Sequence, residues 1–542
     1  MQEKLPIIFV TGIGQTWSKL KDNDDFFWNM IPTSKELLMK NATLKTKLDI
    51  ASFAKSAFLS LKFGSGELST DKLKKLLKFF LRYVIVDENG KLPEDVDVRI
   101  YGARPFSELK NIDLATDKYT EDYSKSVMKR VYKDIPCEEL AAEYGADKMY
   151  CFNYSTFSDL YDNARKLRKM IEDVLKRHPD CEKVVLVPMS MGATVVNAYL
   201  DEYYKDGKSA GKNLVKRVVS IVGAWDGSDG LADILEKKFN ASFYKMLEGN
   251  ANGNKTEKYL SKFKKEAVKN AVNTLIDCFI EEVLLRVSSF AALIPNERFK
   301  SVCKEIFTEE RLKNKRIASV KNEYDRYFIA GRDLQQRLYD IRDNSGVEFS
   351  FIAGYNLDFG GVKSDFEFLS YCDSAGKTNT DSVIQISSTV PGTYFVRLGR
   401  YIPKGSIFPN TCCKDNTHEH LSPDMTVCAK TSFFPETSWF FEGQEHELGT
   451  NNTALKLAIG IASGEVKDVY DPKFPQFNSA RNITKAKKAL EKAKEKLSDG
   501  NLTESEKDNI NRRISDVENM LNSTINDRKK DALVVEELEK LL

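Results

Sequence analysis

The sequence predicts an α/β fold, a parallel sheet wound with helices on both faces. Two observations predict it. Short apolar runs recur at Ile7-Ile8-Phe9-Val10, at 148–154, at 184–187 and at 215–222. Helix-length segments, 158–177 and 195–204, separate the last three of them. Apolar runs of four to eight residues suit strands covered on both sides, and strand–helix–strand spacing suits parallel pairing.

Taken in order, the first run ends in a glycine turn, Thr11-Gly12-Ile13-Gly14. From about 22 to 144 the pattern is mixed, with a helix predicted over 72–83 and a strand over 96–101. Regular alternation begins at 148. The stretch from 228 to about 343 is mainly helical and interrupts it. Strand patterns return at 347–355, 394–398 and 438–441, and 450–463 closes as a helix. One sheet is therefore expected to be assembled from both sides of a helical insertion. The division is 1–227, first part of the core with a partly helical insertion at 22–144; 228–345, a helical cap; 346–477, second part of the core; and 478–542, a helical hairpin.

The hairpin rests on periodicity. Ile483, Ala486, Leu490, Ala493 and Leu497 recur at helical spacing, Asp499-Gly500 ends the run, and Thr503 with Glu506 forms a capping box. Ile510, Ile514, Val517 and Leu521 then continue a second helix. A solvated appendage or short coiled coil is expected, with self-association as the functional alternative.

Composition narrows the partners. Lys+Arg 82 against Asp+Glu 80 leaves a net charge of +2, which gives no reason to expect nucleic acid. Nine cysteines form no CxxC pair, Cys412 and Cys413 are adjacent, and Met1-Gln2-Glu3-Lys4-Leu5-Pro6 shows no leader pattern. Reduced thiols and a cytoplasmic location are the expectation. The longest apolar region, 271–295, carries Asp277, Glu281, Glu282 and Arg286, which argues against a spanning helix and leaves peripheral lipid contact open. Within it Leu275, Phe279, Val283 and Val287 fall on one helical face; 51–63, with Phe53, Phe58, Leu61 and Phe63, is a second apolar segment of this kind. Packing within the chain is the plain reading of such faces, and a lipid-facing lid the sharper one.

A strand, a sharp turn and a helix meet at Pro188-Met189-Ser190-Met191-Gly192. The arrangement resembles the nucleophile elbow of α/β-hydrolases, in which a strained turn lifts a serine hydroxyl above the sheet. Gly192 supplies the small downstream residue, while Pro188 stands where glycine is usual. A plain helix N-cap is the other reading of Ser190. A nucleophilic hydroxyl needs a base, an orienting acid and oxyanion donors. The N–H of Met191 is one donor, and that of Ile13 or Gly14, on the loop after the first strand, is the other. Four histidines limit the base. His178 ends a helix and suits a C-terminal cap; His418 and His420 lie in a polar loop, as surface residues or metal ligands; His446 follows a late strand and precedes the closing helix. His446 occupies the base's station in the order Ser…Asp…His. Asp381 fits the acid, with Asp358 and Asp365 as competitors nearer the preceding strand.

Several segments together resemble the lipase branch of α/β-hydrolases related to lecithin:cholesterol acyltransferase. They are Pro6-Ile7-Ile8-Phe9-Val10-Thr11-Gly12, Tyr150-Cys151-Phe152-Asn153-Tyr154 with Asp162-Asn163-Ala164, the Ser190-Met191-Gly192 elbow, Gly223-Ala224-Trp225-Asp226-Gly227-Ser228, Asp381-Ser382-Val383-Ile384 and Gly443-Gln444-Glu445-His446. Thr11 replaces the usual proline or histidine, and Ser155-Thr156-Phe157 replace an Asp-Trp-Arg element. The resemblance spans most of 1–465, favours Asp381 and His446 over their competitors, and implies a helical cap over the serine and acyl-ester substrates, often lipids. The expected chemistry is hydrolysis of a lipid or small-molecule ester through an acyl-enzyme on Ser190, with no metal or organic cofactor. A catalytically silent binding or scaffold protein and an acyltransferase are the alternatives.

Overall fold

The computed structural model describes residues 4–32, 70–243, 265–360, 366–403, 405–406, 420–447, 452–480, 483–498 and 502–542. Seven parallel strands form the central sheet: β1 Ile7–Val10, β2 Met149–Phe152, β3 Val184–Pro188, β4 Val215–Ile221, β5 Glu348–Tyr355, β6 Ser438–Glu442 and β7 Phe477–Ser479. Their order is β7-β6-β5-β4-β3-β1-β2. This is a parallel α/β sheet whose strand order fits the fold class expected from the sequence. All four residues of β1 are fully buried, because successive side chains feed opposite layers: Ile8 and Val10 enter one core, Ile7 and Phe9 the other.

Helices α1 Leu160–Arg177, α2 Gly192–Tyr203 and α5 Leu334–Ser345 pack on the first face, and α6 Asn452–Ser463 on the second. Between α2 and α5 come α3 Lys265–Glu282 and α4 Lys315–Arg332. A separate core joins Leu81, Val84 and Val86 to Ile280, Leu285, Phe299, Ile317 and Tyr324. Residues on both sides of the first sheet segments thus build one cap. The apolar face expected to run from Leu275 to Val287 is broken, since α3 ends at Glu282. Val283 and Val287 are buried in the cap, whereas Leu275 is 39% exposed. The segment 51–63 lies outside the described residues. No helix among the described residues is long and apolar enough to cross a membrane.

A buried ion pair fastens cap to sheet. Arg316 on α4 donates to both carboxylate oxygens of Asp159, at 2.7 and 2.9 Å, and its Nε donates to the Arg286 carbonyl. Asp159 precedes α1 and also accepts from the Ser288 N–H. Removing one partner strands the other charge in a low-dielectric site. Arg316→Met is expected to cost about 3–5 kcal/mol in urea denaturation, and a loss below about 1 kcal/mol would show the pair to be solvated.

Three strand expectations change. Residues 394–398 yield only Tyr394–Phe395, paired antiparallel with Val427–Cys428 away from the main sheet; Tyr394 is 45% exposed, so the run is not sandwiched. Val96–Val98 belongs to a ribbon with Ser18–Leu20 and Asn23–Trp28. The sheet gains β7, a three-residue edge strand too short and polar to read as one.

At the C-terminus, α7 Ile483–Ser498 and α8 Glu504–Asn522 are joined by a third helix, α9 Arg528–Glu539, where a hairpin of two was expected. Val535 and Leu538 complete the core of Ala486, Ala493, Ile510 and Val517. The Asp527 side chain caps α9 by accepting from the N–H groups of Lys529 and Lys530. Asn526 holds the bundle to the sheet edge: its N–H donates to Asn478 Oδ1, and its Nδ2 donates to the Ser479 carbonyl and to Thr453 Oγ1.

Candidate active site

The turn after β3 is strained as an elbow requires. Ser190 has φ 51°, a left-handed conformation that L-residues rarely adopt. The Ser190 N–H donates to the Ile221 carbonyl and its own carbonyl accepts from Ala224. A second strained residue, Val222 at φ 46°, bends the end of β4 around this carbonyl. Gly192 then starts α2 against β1, where a Cβ would lie 2.1 Å from the Val10 carbonyl oxygen.

Pro188 costs the sheet little. Val185 and Met189 donate to carbonyls on the β1 side, at Pro6 and Val10, whereas Val184 and Ser190 donate on the β4 side. Pro188 falls in the β4-facing series, where the ladder lapses after Leu186–Val218 and resumes at Met189–Ile221. Its missing donor coincides with that lapse.

The structure brings Ser190, His446 and Asp381 into one hydrogen-bonded chain. His446 Nε2 lies 2.7 Å from Ser190 Oγ, and His446 Nδ1 lies 2.8 Å from Asp381 Oδ2. With Nδ1–H donated to the carboxylate, Nε2 carries the lone pair that accepts the serine hydroxyl proton. Asp381 is fully buried, and its Oδ1 accepts from the N–H groups of Val383 and Ile384 at 3.0 and 2.8 Å. The His446 N–H returns to the Asp381 carbonyl at 2.7 Å, locking the two loops together. Gly354, inside β5, lets them meet there: a Cβ on it would stand 2.0 Å from the Gln444 carbonyl oxygen and 3.0 Å from Asp381 Cβ. A glycine within a strand is the sequence signal of such close approach, and the strand reading of 347–355 passed over it.

The loop after β1 reaches the same point through Gly12. A Cβ there would stand 2.7 Å from Ser190 Cβ and 3.2 Å from Oγ. The Gly12 N–H is taken by Gln15 Oε1 at 2.6 Å. Those of Ile13, Gly14 and Met191 meet no acceptor among the described residues. Thr11 donates its N–H to the Phe152 carbonyl, and its buried hydroxyl has no partner.

The other candidates do different work. Asp358 accepts from the N–H groups of Phe359 and Gly376 as a turn cap, and Asp365 and His418 lie outside the described residues. His178 ends α1, with Nε2 2.8 Å from the Tyr150 hydroxyl. His420 overturns its surface expectation: it is fully buried, with Nδ1 2.6 Å from Gln476 Oε1, a partner 56 residues away in sequence. Among the described residues no cluster of three or more His, Cys, Asp or Glu could hold a metal, and the described cysteines are buried and form no disulfide with one another.

The glycine-rich turn after β4 carries Asp226, which accepts from the Asn296 N–H at 2.8 Å. Burial pushes its carboxyl up to about 6, with the Asn296 bond opposing and Asp229 adding to the rise. Between its ordinary value near 4 and about 6, the folded chain holds a proton that the unfolded chain has released. This group therefore subtracts stability as pH rises through that window. Asp226→Asn is expected to gain about 1–2 kcal/mol at pH 7.5 and nothing at pH 4, measured by urea denaturation at both; an equal change at both would refute the titration.

No family model matches the chain. A stretch of 106 residues, 19% of the chain, is 32% identical to methionine–tRNA ligase from Pyrococcus horikoshii and spans 13% of that protein. Among solved structures, phospholipase PlaB from Legionella pneumophila gives a TM-score of 0.29 and 14% identity, over 61% of this chain and 55% of that one. The Tle4–Tli4 complex gives 0.22 and 12% identity, over 65% of this chain and 75% of that one.

Proposed function

We propose that this protein is a serine hydrolase of carboxylic esters, with lipid or other acyl esters as its substrates. One observation carries the proposal: Ser190, on a left-handed turn, stands at 2.7 Å from a histidine whose far nitrogen is held at 2.8 Å by a buried aspartate. In this reading Ser190 Oγ attacks the ester carbonyl as its proton passes to His446 Nε2. The imidazolium is stabilised by Asp381 and protonates the leaving alcohol. The Met191 N–H and that of Ile13 or Gly14 take the oxyanion, and a water activated by His446 releases the acid. Gly12 is a positioning residue whose missing side chain leaves room beside Oγ. The likeness to the lipase branch related to lecithin:cholesterol acyltransferase supports the acyl-ester class through Asp381-Ser382-Val383-Ile384 and Gly443-Gln444-Glu445-His446.

The test is covalent. A fluorophosphonate probe is expected to modify the purified protein on one residue, Ser190, identified by peptide mass spectrometry, with p-nitrophenyl butyrate turnover lost in proportion. Modification elsewhere, or turnover that survives complete labelling of Ser190, overturns the proposal.

A further inference from the structure

One flank of His446 is aromatic. The Phe366 ring meets the imidazole edge-on, with centroids 6.4 Å apart and planes at 80°. Phe366 and Val383 both pack against the buried cluster of Phe359, Leu369 and Cys372. Val383 also donates its N–H to the Asp381 carboxylate, so this apolar cluster and the acid loop share a wall. Phe368 continues outward on the short turn Glu367–Tyr371, its ring 6.3 Å from that of Phe366, and it is 50% exposed. The sequence thus leaves a large apolar side chain half in water, one ring away from the imidazole. Nothing in the Ser190–His446–Asp381 chain uses it.

We infer that Phe366 and Phe368 form the bed for a hydrocarbon chain of the substrate, which leaves the reacting carbonyl beside His446 and runs outward across both rings. This rests on the ester-hydrolase reading and specifies which side of the site is apolar. A saturated chain has no directional bonds to satisfy, so two rings in series suffice to hold it, each covered ring and buried methylene leaving water. The preference they impose is for length. Short acyl groups end before Phe368, and longer ones cover it.

Two measurements test this. The first compares kcat/KM for p-nitrophenyl butyrate and laurate in the parent protein, Phe368→Ser, Phe366→Leu and Tyr401→Ser, the last altering an exposed ring, 72% accessible, as a control. The laurate-to-butyrate ratio is expected to fall about tenfold in Phe368→Ser and to stay at the parent value in Tyr401→Ser. The second is calorimetric binding of lauric acid to Ser190→Ala, without turnover, where adding Phe368→Ser is expected to weaken Kd about tenfold. An unchanged ratio, an unchanged Kd, or a Phe366→Leu effect equal at both chain lengths overturns the chain bed. Phe368-dependent laurate binding in a protein whose parent turns over no ester instead overturns the hydrolase reading and leaves the bed standing.

Discussion

The Ser190→Ala and His446→Ala proteins are each expected to lose about 10⁶-fold in kcat on short-chain p-nitrophenyl esters, and the double variant to lose scarcely more. The reason is geometric. Ser190 Oγ and His446 Nε2 share one proton at 2.7 Å, so removing either leaves the other with nothing to do. What survives is the contribution of the oxyanion donors and substrate binding, about 10³–10⁴ over water. Asp381→Asn should fall short of the other two, at about 10⁴-fold, by presenting His446 in the wrong tautomer while keeping its shape. Thermal melts establish that each variant folds, and steady-state kinetics reads the effect. Losses that multiply across the double variant would mean that Ser190 and His446 act separately.

Gly192→Ala is expected to damage stability and rate together. Its Cβ would stand 2.1 Å from the Val10 carbonyl oxygen and 2.8 Å from that of Thr11. Both belong to backbone at the end of a fully buried strand, so no side chain can swing away. Relief requires α2 to move off the sheet, carrying the elbow with it. A cost of about 3 kcal/mol or more in stability follows. A displacement near 1 Å at the nucleophile costs about 100-fold in rate. Denaturation and kcat should therefore fall together. Stability lost with kcat intact would mean that the strain relaxes elsewhere than in the elbow.

Much of this site could be read before any coordinates. The elbow stood out because an entirely apolar strand runs into serine and then small residues, Gly192-Ala193. With only four histidines and a fixed chain order, His446 had little competition. Asp381 was harder, since Asp358 lies nearer β5 and only the closing of the turn at 378–384 decides which carboxylate reaches the imidazole. Contacts made by backbone alone were hidden. The glycine turn was legible as the loop beside the serine, but not that Gly12 is the residue packed against Ser190, since no side-chain pattern distinguishes adjacent glycine-turn positions. His420 read as exposed because its neighbours are polar, while the glutamine that satisfies it comes from another segment. The third helix of the C-terminal bundle escaped notice because it adds few side chains to a core whose period was already filled by α7 and α8.

Strand β1 has a consequence for how the chain is made. It lies between β2 and β3, and every residue of it is fully buried, yet its first neighbour begins at Met149 and its second at Val184. At about 5–20 residues per second, the ribosome delivers Ile7–Val10 roughly ten to thirty seconds before either neighbour exists. Through that interval an apolar strand with two open edges must stay unpaired, the kind of segment that seeks the same strand on another nascent chain. Slow translation between the codons for Val10 and Pro188 should thus lower the yield of folded protein by prolonging that exposure.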